Sequence, residues 1–176
     1  MSDTYKTEAG KLYYVTITVV GWIDVFTRKE YVYDLIENIK YCQHNKGLDL
    51  YAYVIMSNHL HFIARSNQVP LNILLGNFKS YTSKRLIKLI NDNSEESRKE
   101  WMMRMFNFYG TGNSQNEEMQ FWQNGNHPIP LWNPKVIRQK IDYLHNNPVK
   151  QGIVAKPQDY LYSSANEFSA IKVLEI

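Results

Sequence analysis

The stretch LYAYVIM (Leu50–Met56), the pair Ser57-Asn58 and the stretch HLHFIARS (His59–Ser66) together decide the fold. Both arms are rich in aromatic and β-branched residues, and a two-residue polar break between them suits a tight turn. They read as a β-hairpin. Side chains alternate along a strand, so His59 and His61 share one face while Leu60 and Phe62 supply core contacts on the other. Two imidazoles on one strand face can chelate a single cation. From the tripeptide alone, the commoner reading is a pair of strand histidines satisfied by other partners.

Upstream of the hairpin, Tyr13–Val20 (YYVTITVV) reads as a buried strand. A turn through Gly21 and Asp24 follows, and then a helix from Arg28 to about Lys46. Thr27 stands where an N-cap would, with Glu30 completing a capping box, and Tyr31, Leu35, Ile36, Ile39 and Cys42 recur at helical spacing. Gly47 ends that helix. Downstream, Pro70 opens a second helix to about Ile90, with Leu71, Leu74, Leu75, Phe78, Leu86 and Leu89 as its apolar stripe.

Arg98–Phe108 reads as helical, and Tyr109–Glu118 (YGTGNSQNEE) as a loop. Gln120–Leu131 holds two prolines and suits an irregular strand at a sheet edge or bulge. Asn133-Pro134 marks a helix start, a capping side chain followed by proline at the first helical position. Pro148 marks its stop near Asn147.

The order β-α-β-β-α-(β)-α implies an α+β, ferredoxin-like antiparallel sheet with two helices on one face. The other face is left for a site or for the last helix. The chain reads as one domain over residues 1–176, with a core of about 12–148 and a C-terminal tail of 149–176.

Of the 176 residues, 44% are hydrophobic and 21% charged, which suffices for a core and argues against global disorder. No apolar run approaches the roughly 18–20 residues that span a bilayer, and the opening MSDTYKTEAGK lacks the apolar stretch of a signal peptide. The lone Cys42 excludes an internal disulfide or a cysteine-rich zinc site. These features suit a cytoplasmic protein with no membrane partner. The net charge of +3 permits a nucleic-acid ligand without requiring one.

The second helix carries Lys79, Lys84, Arg85 and Lys88, with no acidic residue between Pro70 and Ile90. Such a face can neutralise phosphates, and it also suits an ordinary solvated helix face. Trp122, Trp132 and His127 flank the expected last strand, where they can stack on unpaired bases; Trp122 equally suits the core. On the last helix Tyr143 and Asn147 lie four apart, hence on one face, with Lys140 beside them. A tyrosine with an amide one turn away suits a nucleophile beside a metal ligand. It suits an interface tyrosine near a helix end more often.

Taken in order, these elements resemble the single-tyrosine HUH transposases (IS200-like), and among them the REP-associated tyrosine transposase branch. The resemblance rests on Met56-Ser57-Asn58-His59-Leu60-His61-Phe62-Ile63, Phe121-Trp122-Gln123, Asn126-His127-Pro128, Tyr143-Leu144-His145-Asn146-Asn147-Pro148-Val149-Lys150-Gln151-Gly152-Ile153-Val154 and the tail from Pro157 to Ala165. It covers about Leu12 to Phe168. Where REP-associated members often carry Gly-Thr/Ser-Trp before the first strand, this chain has Gly10-Lys11-Leu12.

The resemblance implies cleavage and rejoining of single-stranded or hairpin DNA through a 5′-phosphotyrosine. It assigns Tyr143 as nucleophile, and His59, His61 and Asn147 as ligands of Mg2+ or Mn2+. Lys79, Lys84, Arg85, Lys88, Lys140, Trp122 and His127 are then the expected DNA contacts. A non-cleaving DNA-binding regulator of the same fold is the alternative. The family leaves open whether the tyrosine helix completes its own site or a partner's in a homodimer.

Overall fold

A computed structural model of the protein describes residues 6–111 and 119–176. Its elements are β1 (Tyr13–Thr18), α1 (Lys29–Asn45), β2 (Leu48–Ile55), β3 (His59–Ser66), α2 (Leu71–Asp92), α3 (Lys99–Thr111), β4 (Ile129–Pro130), α4 (Pro134–His145) and α5 (Asn147–Lys150). Among the described residues the sheet is antiparallel in the order β2-β3-β1-β4. β3 lies between β1 and β2, so those two run parallel with α1 as their crossover, the split β-α-β arrangement of a ferredoxin-like α+β fold.

Strand alternation gives the sheet two apolar faces. Val15, Ile17, Leu60 and Phe62 point to one side, where Leu35, Ile39, Leu74 and Phe78 of α1 and α2 close the larger core. Tyr14, Val54 and Ile63 point to the other, where Ile137 and Leu144 dock α4. A β-bulge keeps β2 in step with both. Leu50 pairs with Ala64 and Ala52 with Ile63, leaving Tyr51 as the extra residue. Leu48 and Leu50 before it, and Tyr53 and Ile55 after it, therefore all reach the larger core.

The fourth strand is as irregular as its prolines imply. Gln123 N–H donates to Thr18 and Val20 N–H to Phe121, while Ile129 and Pro130 pair with Tyr14 and Tyr13. Five residues, 124–128, thus span what three cover on β1. Gly125 at φ 74° and His127 at φ 39° make the excursion. At the opposite edge the tail lies along β2: Ile55 N–H donates to Tyr162, Ser164 N–H to Tyr53 and Leu174 N–H to Leu50. An edge strand is thereby covered.

Three local expectations are corrected. No capping box starts α1. Its N-cap is Arg28, without a side-chain cap bond. Thr27 Oγ1 instead accepts from Arg98 and Glu30 Oε1 from Asn93, so long-range partners take the residues a local cap would have used. Tyr109–Thr111, expected in a loop, belong to α3; the remainder of that expected loop, 112–118, lies outside the described residues. α4 does stop just before Pro148, at His145, but Pro148 also opens a further short helix. It occupies the first turn of α5, where its missing N–H costs nothing.

Candidate active site

The two histidines share the α4 side of the sheet, both 6% exposed, with ring centroids 4.8 Å apart. Each has its Nδ1 against oxygen. His59 Nδ1 lies 2.7 Å from Asn58 Oδ1. His61 Nδ1 lies 2.9 Å from both Tyr14 Oη and Thr16 Oγ1. With the proton on Nδ1 donated to these oxygens, each Nε2 keeps a lone pair, the tautomer a metal ligand needs. Burial depresses both imidazoles below their ordinary range, His61 to about 3 with help from His59 and Lys140. They stay neutral at physiological pH.

Asn58 ties this pair to the turn after β1. Its Nδ2 donates to Asp24 Oδ1 at 2.9 Å and to the Trp22 carbonyl at 3.2 Å. Ser57 Oγ also donates to Asp24 Oδ1. The β1 turn and the hairpin turn are therefore one hydrogen-bonded unit, and the Trp22 ring packs edge-on against His59 at 5.7 Å.

α4 brings the third element. Asn133 caps it as its sequence implies, its side chain accepting from Lys135 N–H at 2.8 Å. Leu144, fully buried, and Ile137 fix its rotation, while Val136 stays exposed. Tyr143 then projects beside the histidines at 44% exposure, its ring 6.1 Å from that of His61 and 6.3 Å from that of Tyr14. Burial pushes the Tyr14 phenol up to about 12, so it remains a protonated hydrogen-bonding partner. Two ammonium groups flank the Tyr143 ring: Lys140 Nζ at 5.8 Å and Lys150 Nζ at 4.5 Å from its centroid. Asn147 is buried and donates Nδ2 to the Tyr143 and Leu144 carbonyls, so Oδ1 is the side-chain atom that could ligate a cation.

Among the described residues no group of three or more His, Cys, Asp or Glu side chains is placed to hold a metal. The groups that could hold one are instead the two neutral imidazoles, with the amide oxygen of Asn147, one turn beyond Tyr143, as a candidate third donor. That set fits a loosely held divalent cation whose remaining positions are filled by phosphate oxygens and water.

The expected DNA contacts divide. Lys140 is in the site. His127 is exposed in the bulge beside β1. Trp122 is core: 3% exposed, stacked on Phe26, and donating Nε1 to Thr82. Lys79 staples α2 to the bulge, donating to the Gln123 and Gly125 carbonyls and Asn126 Oδ1, while burial lowers its ammonium to about 8. Lys84, Arg85 and Lys88 lie on α2, across the sheet from the histidines. Arg85 pairs with Asp34 and Lys88 with Asp92. An acid-free stretch of sequence thus becomes a helix whose carboxylate partners come from α1 and from its own end.

The residue pattern gives no site role to Tyr14, Thr16, Trp22, Asn58 or Lys150. A signal existed for three of them. Thr16 pairs with His61 in the β1–β3 register, and Tyr14 lies on the same face by alternation. Lys150 is seven residues after Tyr143, on one helical face, but reading Pro148 as a stop hid that periodicity.

The sequence family described as IS200-like transposase matches residues 11–123. No curated protein matches the chain. Among solved structures, the REP-associated tyrosine transposase bound to a REP hairpin is similar at 17% identity with a TM-score of 0.59, covering 90% of this chain and 78% of that one. The likeness is one of fold. Among the described residues no helix is long and apolar enough to cross a membrane.

Proposed function

The chain belongs to the IS200-like transposase family, and from that premise we propose that it cuts and rejoins single-stranded, hairpin-forming DNA through a covalent bond to Tyr143. The observation that carries this reading is the convergence, from two separate elements, β3 and α4, of His59, His61 and a half-exposed tyrosine whose ring stands 6.1 Å from His61. Tyr143 lies beside His61 of its own chain, and the site proposed here is built within one copy.

Attack by the Tyr143 oxygen on phosphorus forms the ester of a 5′-phosphotyrosine and breaks the bond to the 3′ oxygen. The phenol proton passes to solvent, and the leaving 3′ oxygen takes one up. Because the ester conserves the bond energy, a 3′-hydroxyl on another strand can reverse the step and rejoin DNA. His59, His61 and Asn147 would hold a divalent ion, Mg2+ or Mn2+. When bound, that ion supplies Lewis-acid polarisation of a non-bridging phosphate oxygen. Lys140 and Lys150 draw the phosphate toward Tyr143 and offset its charge as the phosphorus becomes more electron-rich. The rigid α4, capped at Asn133 and pinned by Leu144, keeps the nucleophile aligned. A tyrosine retained beside the histidine pair favours cutting over the binding-only alternative.

The test uses labelled hairpin oligodeoxynucleotides with randomised single-stranded flanks, incubated with MgCl2 or MnCl2 and resolved under denaturing conditions. Label should migrate covalently with the protein. Tyr143→Phe should bind DNA and form no adduct. An adduct formed at the wild-type rate by Tyr143→Phe would move the nucleophile to another tyrosine. No adduct from the wild-type protein with either ion would overturn the cutting reaction.

A further inference from the structure

Trp22 is placed at a conformational cost that packing does not explain. Its backbone lies in the left-handed region at φ 55°, directly after Gly21 at φ 59°. An L side chain other than Asn or Asp rarely adopts that region, and such residues concentrate at functional sites. The side chain gains little burial in return: Trp22 is 58% exposed. Among the described residues its one ring contact is the edge-on approach to His59 at 5.7 Å. The backbone is nevertheless held firmly. Trp22 N–H donates to Val19 at 3.1 Å, and the Trp22 carbonyl accepts from Asn58, whose Oδ1 faces His59 Nδ1. One asparagine therefore fixes both the histidine and the strained tryptophan. Trp132, at 80% exposure, is more open, but among the described residues the aromatic rings against the two histidines are those of Trp22, Tyr14 and Tyr143.

We infer that Trp22 is a stacking platform for an unpaired nucleobase of the strand whose phosphate lies at the histidine pair. The inference deepens the function proposed above and rests on it for the position of the phosphate. An exposed indole on a fixed backbone, 5.7 Å from the His59 ring, offers a flat apolar face beside the proposed phosphate position. Stacking on such a face is tolerant of sequence, because every base has a π-face, and purines offer the larger one. The family chemistry requires a strand to be held at one phosphate. A base gripped next to that phosphate fixes which phosphate is presented and favours unpaired over duplex DNA, whose bases are already stacked.

The experiment uses the full chain carrying Tyr143→Phe, so that binding is read without cleavage, with and without Trp22→Asn. Asparagine accepts the left-handed backbone, so the fold is retained, with an unchanged or higher melting temperature. The probes are fluorescently labelled dA12, dT12 and a twelve-residue strand of abasic sugars that keeps the phosphates and lacks the bases. Trp22→Asn should weaken dA12 binding by about 5- to 100-fold, weaken dT12 less, and leave the abasic strand within about twofold. An equal loss on all three strands would make Trp22 a structural or electrostatic contributor and overturn the platform. So would unchanged dA12 binding, or absence of dA12 binding by a protein that still forms the hairpin adduct. The converse pattern, Trp22-dependent binding of dA12 by a wild-type protein that forms no adduct, would leave the platform standing and refute the cutting reaction.

Discussion

His61 depends on two oxygens where one would serve, and that redundancy has a measurable signature. Its Nδ1 is 2.9 Å from Tyr14 Oη and 2.9 Å from Thr16 Oγ1, in a position 6% exposed to solvent. Tyr14→Phe removes one oxygen and Thr16→Val the other, each with little change of shape and each leaving the remaining oxygen to accept the Nδ1 proton. Each single substitution should therefore cost about 0.5–1.5 kcal/mol, the net value of one hydrogen bond. The double substitution leaves a buried N–H with no acceptor, which costs a further 1–3 kcal/mol or so. The double variant should thus exceed the sum of the singles by about 1–3 kcal/mol. At a urea slope of about 2 kcal/mol/M this excess is a midpoint shift of about 0.5–1.5 M. Imidazole 15N chemical shifts should report the Nδ1–H tautomer in the wild type and its loss in the double variant. Mn2+ affinity should fall about 10- to 100-fold in the double variant, as for other residues that orient a metal-binding histidine. Additive stabilities, with the Nε2–H tautomer already present in the wild type, would refute the claim that these two hydroxyls prepare His61 for a cation.

Leu144→Ala should cost about 2–5 kcal/mol, because Leu144 is fully buried between α4 and the sheet. It should also slow adduct formation more than Tyr14→Phe does, since it loosens the helix that carries Tyr143. Lys140→Met and Lys150→Met should each weaken single-strand binding and reduce its salt slope by about one. Lys84→Gln and Lys88→Gln, across the sheet, should leave affinity within about twofold, as titrations at several salt concentrations will show. The Glu96 carboxyl is raised by burial, but bonds from Arg98 and Arg28 outweigh this and hold it at about 2, against 4.5 unperturbed. A depressed carboxyl stabilises the fold above its unfolded pKa, and that stability is lost as pH falls through the folded one. Acid titration should therefore remove up to about 3 kcal/mol between roughly pH 4.5 and 2. Glu96→Gln should lack that component of the pH dependence in denaturation curves.

What the sequence determined by itself is what neighbouring residues encode. The alternation in HLHFIARS puts both histidines on one face, Asn133-Pro134 starts the tyrosine helix, and the order of strands and helices implies the split β-α-β sheet. Each rests on a local period or on backbone chemistry at one residue, and each holds in the folded chain. The convergence of these motifs was also enough to suggest the family that the match over residues 11–123 establishes. The meaning of a charge or an aromatic ring was not local. Lys79, Lys84, Arg85 and Lys88 form a basic helix in sequence. Only the packing of α2 against α1 shows Arg85 meeting Asp34, Lys79 stapling the bulge at 123–126, and the sheet standing between that helix and His59. Trp122 became core once Thr82 and Phe26 closed on it. Conversely, Tyr14, Thr16, Trp22 and Lys150 entered the site through strand register, a left-handed turn and a helical turn beyond a proline. Periodicity fixes which side of its own element a residue faces. Which other element lies there, and whether it brings a carboxylate, a hydroxyl or open solvent, is decided by contacts between residues far apart in the chain.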